Sequence, residues 1–283
     1  MVIGPGDDAA VLPDHTVITV DTLVEGVHFD GRLTMEDVGY KAVAVSVSDI
    51  AAMGGCPTWM VLSISMPSGF TDREALIYGI SNATQRFGVS LIGGDTTRSP
   101  GPLMISVTMA GHAPTPITRA GAEPGQDIWV TGFPGLASAG YLYDTPPDAA
   151  LAALRRPVPP VELAQRLAQH GIAAAMMDLS DGVATDLKRL AKRSGVGISL
   201  RAAAFPRHPG LADYDAVQLA LTGGDDYQLV FTAQPQHADH IVSLAHEFGV
   251  VLTRIGSVTQ SLDCVVDDRD WPSAAFEHFP EVS

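Results

Sequence analysis

The run Thr16-Val17-Ile18-Thr19-Val20-Asp21-Thr22-Leu23-Val24 is rich in β-branched and apolar residues and carries a single acid, Asp21, in its interior. β-branched enrichment over nine residues reads as a strand. A carboxylate inside such a strand needs a partner. Downstream, Thr34 to Met53 reads as a helix, with Thr34 as N-cap, Asp37 three residues on and Gly54-Gly55 as the stop. Asp49 falls inside its apolar run. Trp59 to Met66 is a second strand. Thr71 to Phe87 is a second helix, with a Thr71/Glu74 capping box, Leu76, Ile77 and Ile80 on one face and Gly88 beyond its end. Val89 to Ile92 and Leu103 to Ala110 are strands around a loop, Gly93-Gly94-Asp95-Thr96-Thr97. Alternation of strand and helix patterns predicts an α/β or α+β protein.

Ala113-Pro114-Thr115-Pro116 resists both helix and central strand, which divides the chain into residues 1–114 and 115–283. The second half offers a strand at Asp127 to Thr131, a glycine-rich turn at Gly132 to Gly140 and helices at Val161 to Gln169 and from Ser180 to a stop at Gly195. Strands follow at Ala216 to Leu221, Tyr227 to Thr232 and Val250 to Val258, with a helix at Asp239 to Phe248.

Acids outnumber bases 32 to 17, giving a formal charge of −15, which argues against a nucleic-acid partner because phosphate-backbone binding needs clustered Lys and Arg. Cys56 and Cys264 form neither a disulfide framework nor a CxxC motif, and no basic region leads into an apolar stretch at the start, so a cytoplasmic protein is expected. Ile50 to Thr71 is uncharged and long enough to span a bilayer, but Gly54, Gly55, Pro57 and Pro67 interrupt it. It reads as a helix end, a turn and a buried strand, with no membrane role.

Aspartates recur within two residues of a glycine or a hydroxyl residue: Asp7, Asp8, Asp21, Asp49, Asp95, Asp178, Asp181, Asp225 and Asp226. One Asp-Gly pair is ordinary turn chemistry, but that explanation fails for Asp21 and Asp49. Convergent carboxylates repel one another unless hard cations neutralise them, and Mg2+, which bridges carboxylates to substrate phosphates, suits this set. Neither a GxxxxGK[ST] loop nor the protein-kinase motifs occur, so an ATP site here needs another architecture.

Seven stretches carry a family resemblance. They are Gly6-Asp7-Asp8-Ala9-Ala10, Val20 through Phe29, Ser48-Asp49-Ile50-Ala51-Ala52-Met53-Gly54, Leu91 through Thr97, Thr118-Arg119-Ala120-Gly121-Ala122, Asp178-Leu179-Ser180-Asp181-Gly182 and Thr222 through Tyr227. In order and spacing they resemble the thiamine-monophosphate kinase family, of the superfamily that also holds aminoimidazole ribonucleotide synthetase. The resemblance implies a two-domain α+β fold, with an N-terminal mixed sheet carrying helices on one face and a C-terminal α/β domain. It also implies a homodimer formed through the N-terminal sheets.

By the same resemblance Asp8, Thr19, Asp21, Asp49, Asp95, Asp178 and Asp181 ligate or orient Mg2+, and Val20 contributes through its backbone. Asp49, Asp95 and Asp181 are the catalytic members. Tyr78, Gly94, Asp95, Arg119 and Ser180 contact ATP. His28, Asp225 and Phe276 face thiamine monophosphate, which ATP phosphorylates to thiamine diphosphate. Three departures accompany it: the chain begins close to Gly6, where relatives have a preceding helical segment, Asp225 stands where the family has Glu, and Phe276 keeps an aromatic ring where the family varies its aromatic type. An aminoimidazole ribonucleotide synthetase-like activity and a catalytically silent binding module are the competing expectations.

Overall fold

The protein is represented by a computed structural model whose described residues are 3–271, and the elements below are those of the described residues. Phe276 lies outside them. The chain separates into two compact units, Met1–Pro116 with Arg155–Gln165, and Ile117–Leu154 with Arg166–Ser283. No helix among the described residues is long and apolar enough to cross a membrane.

The first unit is a mixed sheet with two helices. Its elements are β1 (Ala10–Val11), β2 (Thr16–Val24), α1 (Met35–Ala52), β3 (Cys56–Pro67), α2 (Arg73–Phe87), β4 (Ser90–Ser99) and β5 (Met104–His112), in strand order β1-β2-β5-β3-β4. Only β3 and β4 run parallel; the other pairs are antiparallel. The uncharged stretch from Ile50 is, as expected, the end of α1, a turn and β3.

In β2 the odd positions Val17, Thr19 and Leu23 are buried while Val20 is exposed, so the odd face is the inner one. α1 lies against β2 and β5 and is buried nearly all round, which its Ala, Val and Ser content permits. It also packs on α2 with almost no side-chain spacer. A Cβ added at Gly39 would sit 2.2 Å from the Leu76 carbonyl oxygen, and one at Gly79 would sit 1.9 Å from that of Glu36.

α1 starts as its sequence says. Asp37 N–H donates to Thr34 Oγ1 at 3.2 Å, and Thr34 N–H donates to Asp37 Oδ2 at 3.2 Å. Arg156 Nε adds a bond to Asp37 Oδ1 at 3.0 Å, and its guanidinium lies over the Tyr40 ring at 5.6 Å. Burial works to raise the Asp37 pKa, but Thr34 and Arg156 outweigh it and hold the carboxyl below its ordinary value. The capping box expected at Thr71 and Glu74 does not form. α2 begins one residue later, with Asp72 as an N-cap outside extended geometry and without a side-chain cap bond; Gly88, left-handed at φ 66°, ends it as expected.

The remaining elements are β6 (Asp127–Thr131), α3 (Leu136–Leu142), α4 (Asp148–Arg155), α5 (Val161–Gln169), β7 (Ala173–Leu179), α6 (Val183–Ser194), β8 (Gly197–Leu200), α7 (Ala216–Thr222), β9 (Gln228–Ala233), α8 (Ala238–Phe248), β10 (Leu252–Thr259), β11 (Cys264–Val266) and β12 (Arg269–Asp270); apart from Arg155 and the part of α5 up to Gln165, which belong to the first unit, they make up the second unit. Its seven-stranded sheet has the order β12-β11-β8-β10-β6-β9-β7. Val183, Leu187 and Leu190 of α6 join Val130, Met177 and Val230 in its core. At about 1.5–3 kcal/mol for each large apolar side chain removed from water, this face anchors α6 and the loop before it.

Three sequence expectations change. Gly93 to Thr97 is not a loop but the middle of β4, because Gly94 lets two strands approach: a Cβ there would lie 2.0 Å from the Leu62 carbonyl oxygen. Ala216 to Leu221 is helix α7, not a strand. Asp215 caps it by accepting from Gln218 N–H at 3.1 Å, and burial of Ala216, Leu219 and Ala220 follows a helical period. The glycine-rich segment from Gly132 turns into α3, where Gly140 allows contact with α4; a Cβ at 140 would meet the Ala150 carbonyl oxygen at 2.6 Å.

Replacing Asp37 with Ala is expected to lower unfolding free energy at neutral pH by about 1–2 kcal/mol, the usual cost of a lost N-cap partner. The parent's advantage is present above the ordinary carboxylate pKa and is lost as pH falls through the lowered one, when Asp37 protonates in the fold. Urea denaturation at pH 7 and pH 3 checks both parts.

Candidate functional site

In the first unit a set of carboxylates gathers on the helix-covered face of the sheet. Thr19 Oγ1, from β2, donates to Asp49 Oδ2, near the end of α1. Two residues along β2, Asp21 Oδ2 accepts from Ser46 Oγ at 2.9 Å, one turn before Asp49 on the same helix. Strand period two and helix spacing three meet here. Asp8, buried ahead of β1, brings a carboxylate oxygen within 4.8 Å of one of Asp49. Asp21 retains part of its surface, yet its carboxyl is packed closely enough that desolvation raises its pKa, with the Ser46 hydroxyl acting the other way.

Gly94 lies in the same cross-strand row as Asp21, through Val107 and Leu62. Asp95, next in the chain, projects from the opposite face. It ends the row Thr22, Ser106, Ser63, Asp95, within which Thr22 Oγ1 donates to Ser106 Oγ at 3.0 Å. The structure therefore gathers Asp8, Thr19, Asp21 and Asp49, and holds Asp95 apart from them on the open face. Val20 is also on the open face, 59% exposed, so only its backbone is turned toward its neighbours in the sheet.

His28 follows β2 in a turn through Gly26, at φ 79°. Val24 N–H donates to His28 Nδ1 at 3.0 Å, which puts the proton of the neutral ring on Nε2. Tyr78 is 58% exposed on α2.

In the second unit Asp178 is buried near the end of β7, and Ser180, Asp181 and Gly182 form the turn into α6. Gly182 has φ 98°, and a Cβ on it would sit 2.6 Å from the Gly223 carbonyl oxygen. Likewise a Cβ on Gly224 would lie 2.2 Å from that of Ser180, and Asp225 N–H donates to the same oxygen at 2.9 Å. Asp225 and Tyr227 both adopt positive φ, at 71° and 49°, and Tyr227 Oη donates to Asp225 Oδ1 at 3.0 Å. Arg119 is half-buried in a loop fastened to the end of α6. Ser194 Oγ donates to its carbonyl oxygen at 2.9 Å and accepts from Ala122 N–H at 3.1 Å.

Two acids have roles that sequence reading missed. Asp226, grouped there with the loop acids, is buried and accepts from Gly135 N–H at 2.6 Å and Ala137 N–H at 3.1 Å, closing the start of α3. Asp186, fully buried in α6, accepts from Ser180 N–H at 3.1 Å and Asp181 N–H at 3.0 Å. Only the spacing of Asp186 from the Ser-Asp-Gly turn could have signalled this.

A fold of two sheet units, with oxygen-rich turns at Ser180-Asp181-Gly182 and at Gly224-Asp225, defines the class. Residues 6–113 match the family described as AIR synthase related protein, N-terminal domain, and residues 123–268 match its C-terminal domain. A thiamine-monophosphate kinase of Methanopyrus kandleri is 38% identical over 265 residues, covering 90% of this chain and 82% of the relative. That of Escherichia coli K12 is 34% identical over 307 residues, covering 98% and 92%. Among solved structures, the thiamine-monophosphate kinase of Stenotrophomonas maltophilia K279a superimposes with a TM-score of 0.84 at 37% identity, covering 96% of this chain and 92% of its own. AaThiL complexed with AMPPCP and TMP gives a TM-score of 0.87 at 30% identity, covering 97% and 91%. The chain belongs to the thiamine-monophosphate kinase family.

The raised pKa of Asp21 means that its ionised form weakens the metal-free fold. Asp21→Asn is therefore expected to melt at a higher temperature than the parent at pH 7 without divalent cations. The gap should widen as pH rises from the ordinary carboxylate pKa through the raised one, and vanish below both, where Asp21 is neutral. Thermal melts across pH 3 to 8 test it.

Proposed function

We propose that this chain transfers the γ-phosphoryl group of ATP to thiamine monophosphate, giving thiamine diphosphate and ADP, with Mg2+ as the metal. The observation that carries the reading is the approach of the Asp8 and Asp49 carboxylates beside Asp21, whose carboxyl is desolvated, with Asp21 and Asp49 anchored by hydroxyls, in a member of this family. Hard oxygen donors alone make up this set, with no sulfur or imidazole among them, and Mg2+ prefers such donors. The raised pKa of Asp21 gives the same indication, since a bound cation would favour the charged form that burial opposes.

In the first unit Asp8, Asp21 and Asp49 would hold Mg2+ on the helix-covered face, with Thr19 orienting Asp49 and Val20 offering backbone, and Asp95 would be a separate Mg2+ ligand on the open face. In the second unit Asp178 and Asp181 have the same role. When bound, Mg2+ screens the anionic phosphates from one another and from these carboxylates.

Arg119 suits the ATP phosphates because a guanidinium matches phosphate oxygens in pairs. Its loop is held by Ser194 before any ligand arrives. Tyr78 offers an exposed ring, Gly94 offers the backbone of edge strand β4, and Ser180 offers that of the turn into α6. On the acceptor side, the His28 Nδ1 bond leaves Nε2–H as donor toward a phosphate, and Tyr227 orients Asp225. Phe276 is assigned to the acceptor by resemblance alone. The acceptor phosphate has a second pKa of about 6 and is mostly ionised at neutral pH, so no protein base is required. Catalysis then rests on positioning and electrostatics.

The open face of the first sheet supports a homodimer. Val20 and Met104 on β2 and β5, and Leu91 and Ile92 on the edge strand β4, are exposed large apolar residues, and β4 pairs on one side only. A second copy would cover both. The two free cysteines are consistent with a reducing cytoplasm.

Incubation with ATP, Mg2+ and thiamine monophosphate should yield thiamine diphosphate by chromatography, and Asp49→Asn should lower kcat by on the order of 10²–10³-fold with an unchanged circular dichroism spectrum. Nucleotide binding without product would leave a silent binding module instead. Sedimentation equilibrium should report a dimer, and Val20→Lys should shift it toward monomer.

A further inference from the structure

We propose that Asp186, acting with Arg189, is the positioning residue that fixes Ser180 and Asp181 in ligand-ready geometry; this rests on the reading of those two residues as nucleotide- and metal-facing. Asp186 is completely buried, and at least three groups share its carboxylate. Oδ2 accepts from the N–H groups of Ser180 and Asp181, and Oδ1 accepts from Arg189 Nη1 at 2.9 Å. The same Nη1 pairs with Asp181 Oδ2. One carboxylate therefore holds the loop's backbone, and one guanidinium nitrogen ties it to the loop's own carboxylate.

This is not helix capping. The N-cap of α6 is Gly182, and the N–H groups that Asp186 binds precede it in the chain, outside the helix. The loop is restrained from two sides. Its position is fixed on the far side by Gly182 and Gly224, where no side chain fits, and by the Asp225 N–H bond to the Ser180 carbonyl. Asp186 supplies the near side. Anchored at Oδ2, Asp181 presents Oδ1 as its ligating atom, and Arg189 keeps two neighbouring acids from repelling each other until a cation is bound.

A carboxylate this buried is costly to keep for stability alone, since apolar residues of like volume often serve as well. Its geometry toward Ser180 and Asp181 accounts for it. Outer groups that orient metal ligands typically change metal affinity or activity by about 10–100-fold when removed.

The test uses the full chain and the variants Asp186→Asn, Arg189→Met and Arg189→Lys. Mn2+, a paramagnetic hard cation, is titrated by electron spin resonance, alongside melting temperature and the kcat and KM for thiamine monophosphate. Asp186→Asn and Arg189→Met should each weaken Mn2+ binding and lower kcat about tenfold or more with KM for thiamine monophosphate little changed. Arg189→Lys, which restores a shared cation, should recover most of both. Asp37→Ala, destabilising but remote in sequence from this loop, should bind Mn2+ like the parent. The proposal is overturned if both disruptive variants bind Mn2+ with parental affinity and differ only in melting temperature. Arg189→Met carries the test alone should Asp186→Asn not fold. If the parent forms no thiamine diphosphate while the variants still lose Mn2+ affinity, the kinase reading fails and the positioning role stands.

Discussion

Two hydroxyl-to-carboxylate bonds, Thr19 to Asp49 and Ser46 to Asp21, tie β2 to α1 across a mostly apolar contact. A carboxylate withdrawn from water without a partner costs several kcal/mol, and a single neutral hydroxyl recovers part of that. Asp21 keeps a raised pKa as the residue of the imbalance. The surrounding unit tolerates it because most of α1 is otherwise buried in small and apolar side chains. An acid retained in such surroundings is strain stored at a site of use.

The second unit manages its acids differently. Asp186 and Asp226 are turned on backbone N–H groups and so fix the shapes of two turns. Asp225 and Tyr227 are held at positive φ, a conformation that costs non-glycine residues about 1–3 kcal/mol and persists only where neighbours enforce it. The enforcing neighbours are Ser180 and Leu179, whose carbonyl oxygens accept from the two N–H groups. Order in one turn is thus lent by the other.

Much of this was legible in the sequence wherever a local signal and a burial pattern agreed. Thr34 with Asp37 announced α1, Gly88 and Gly195 announced the ends of α2 and α6, and Asp21 stood out as a charge among β-branched residues. Reading failed where glycine served packing and not turning, as at Gly94 and Gly140, since local propensity cannot see the carbonyl a Cβ would strike. It failed at α7, where a short apolar run fits either period and Asp215 tipped the balance. The acids were found as a group, but their division between metal-type faces and backbone duties was not. Asp226 and Asp186 resemble their neighbours until their partners, Gly135 far away in sequence and Ser180 before the helix, are known. The resemblance likewise gave no sign that Asp95 and Asp49 stand on opposite faces of one sheet.

The crossing of α1 and α2 at Gly39 and Gly79 has a reach beyond its own contact. With backbone against backbone there, neither helix can slide or rotate by a residue without driving a Cβ into a carbonyl. Ser46 and Asp49 follow Gly39 on the same rigid rod, about 10–15 Å along its axis at 1.5 Å per residue. Two glycines at one end of the helix thus act as an index pin, setting the azimuth at which the hydroxyl and the carboxylate meet the strand at the other end.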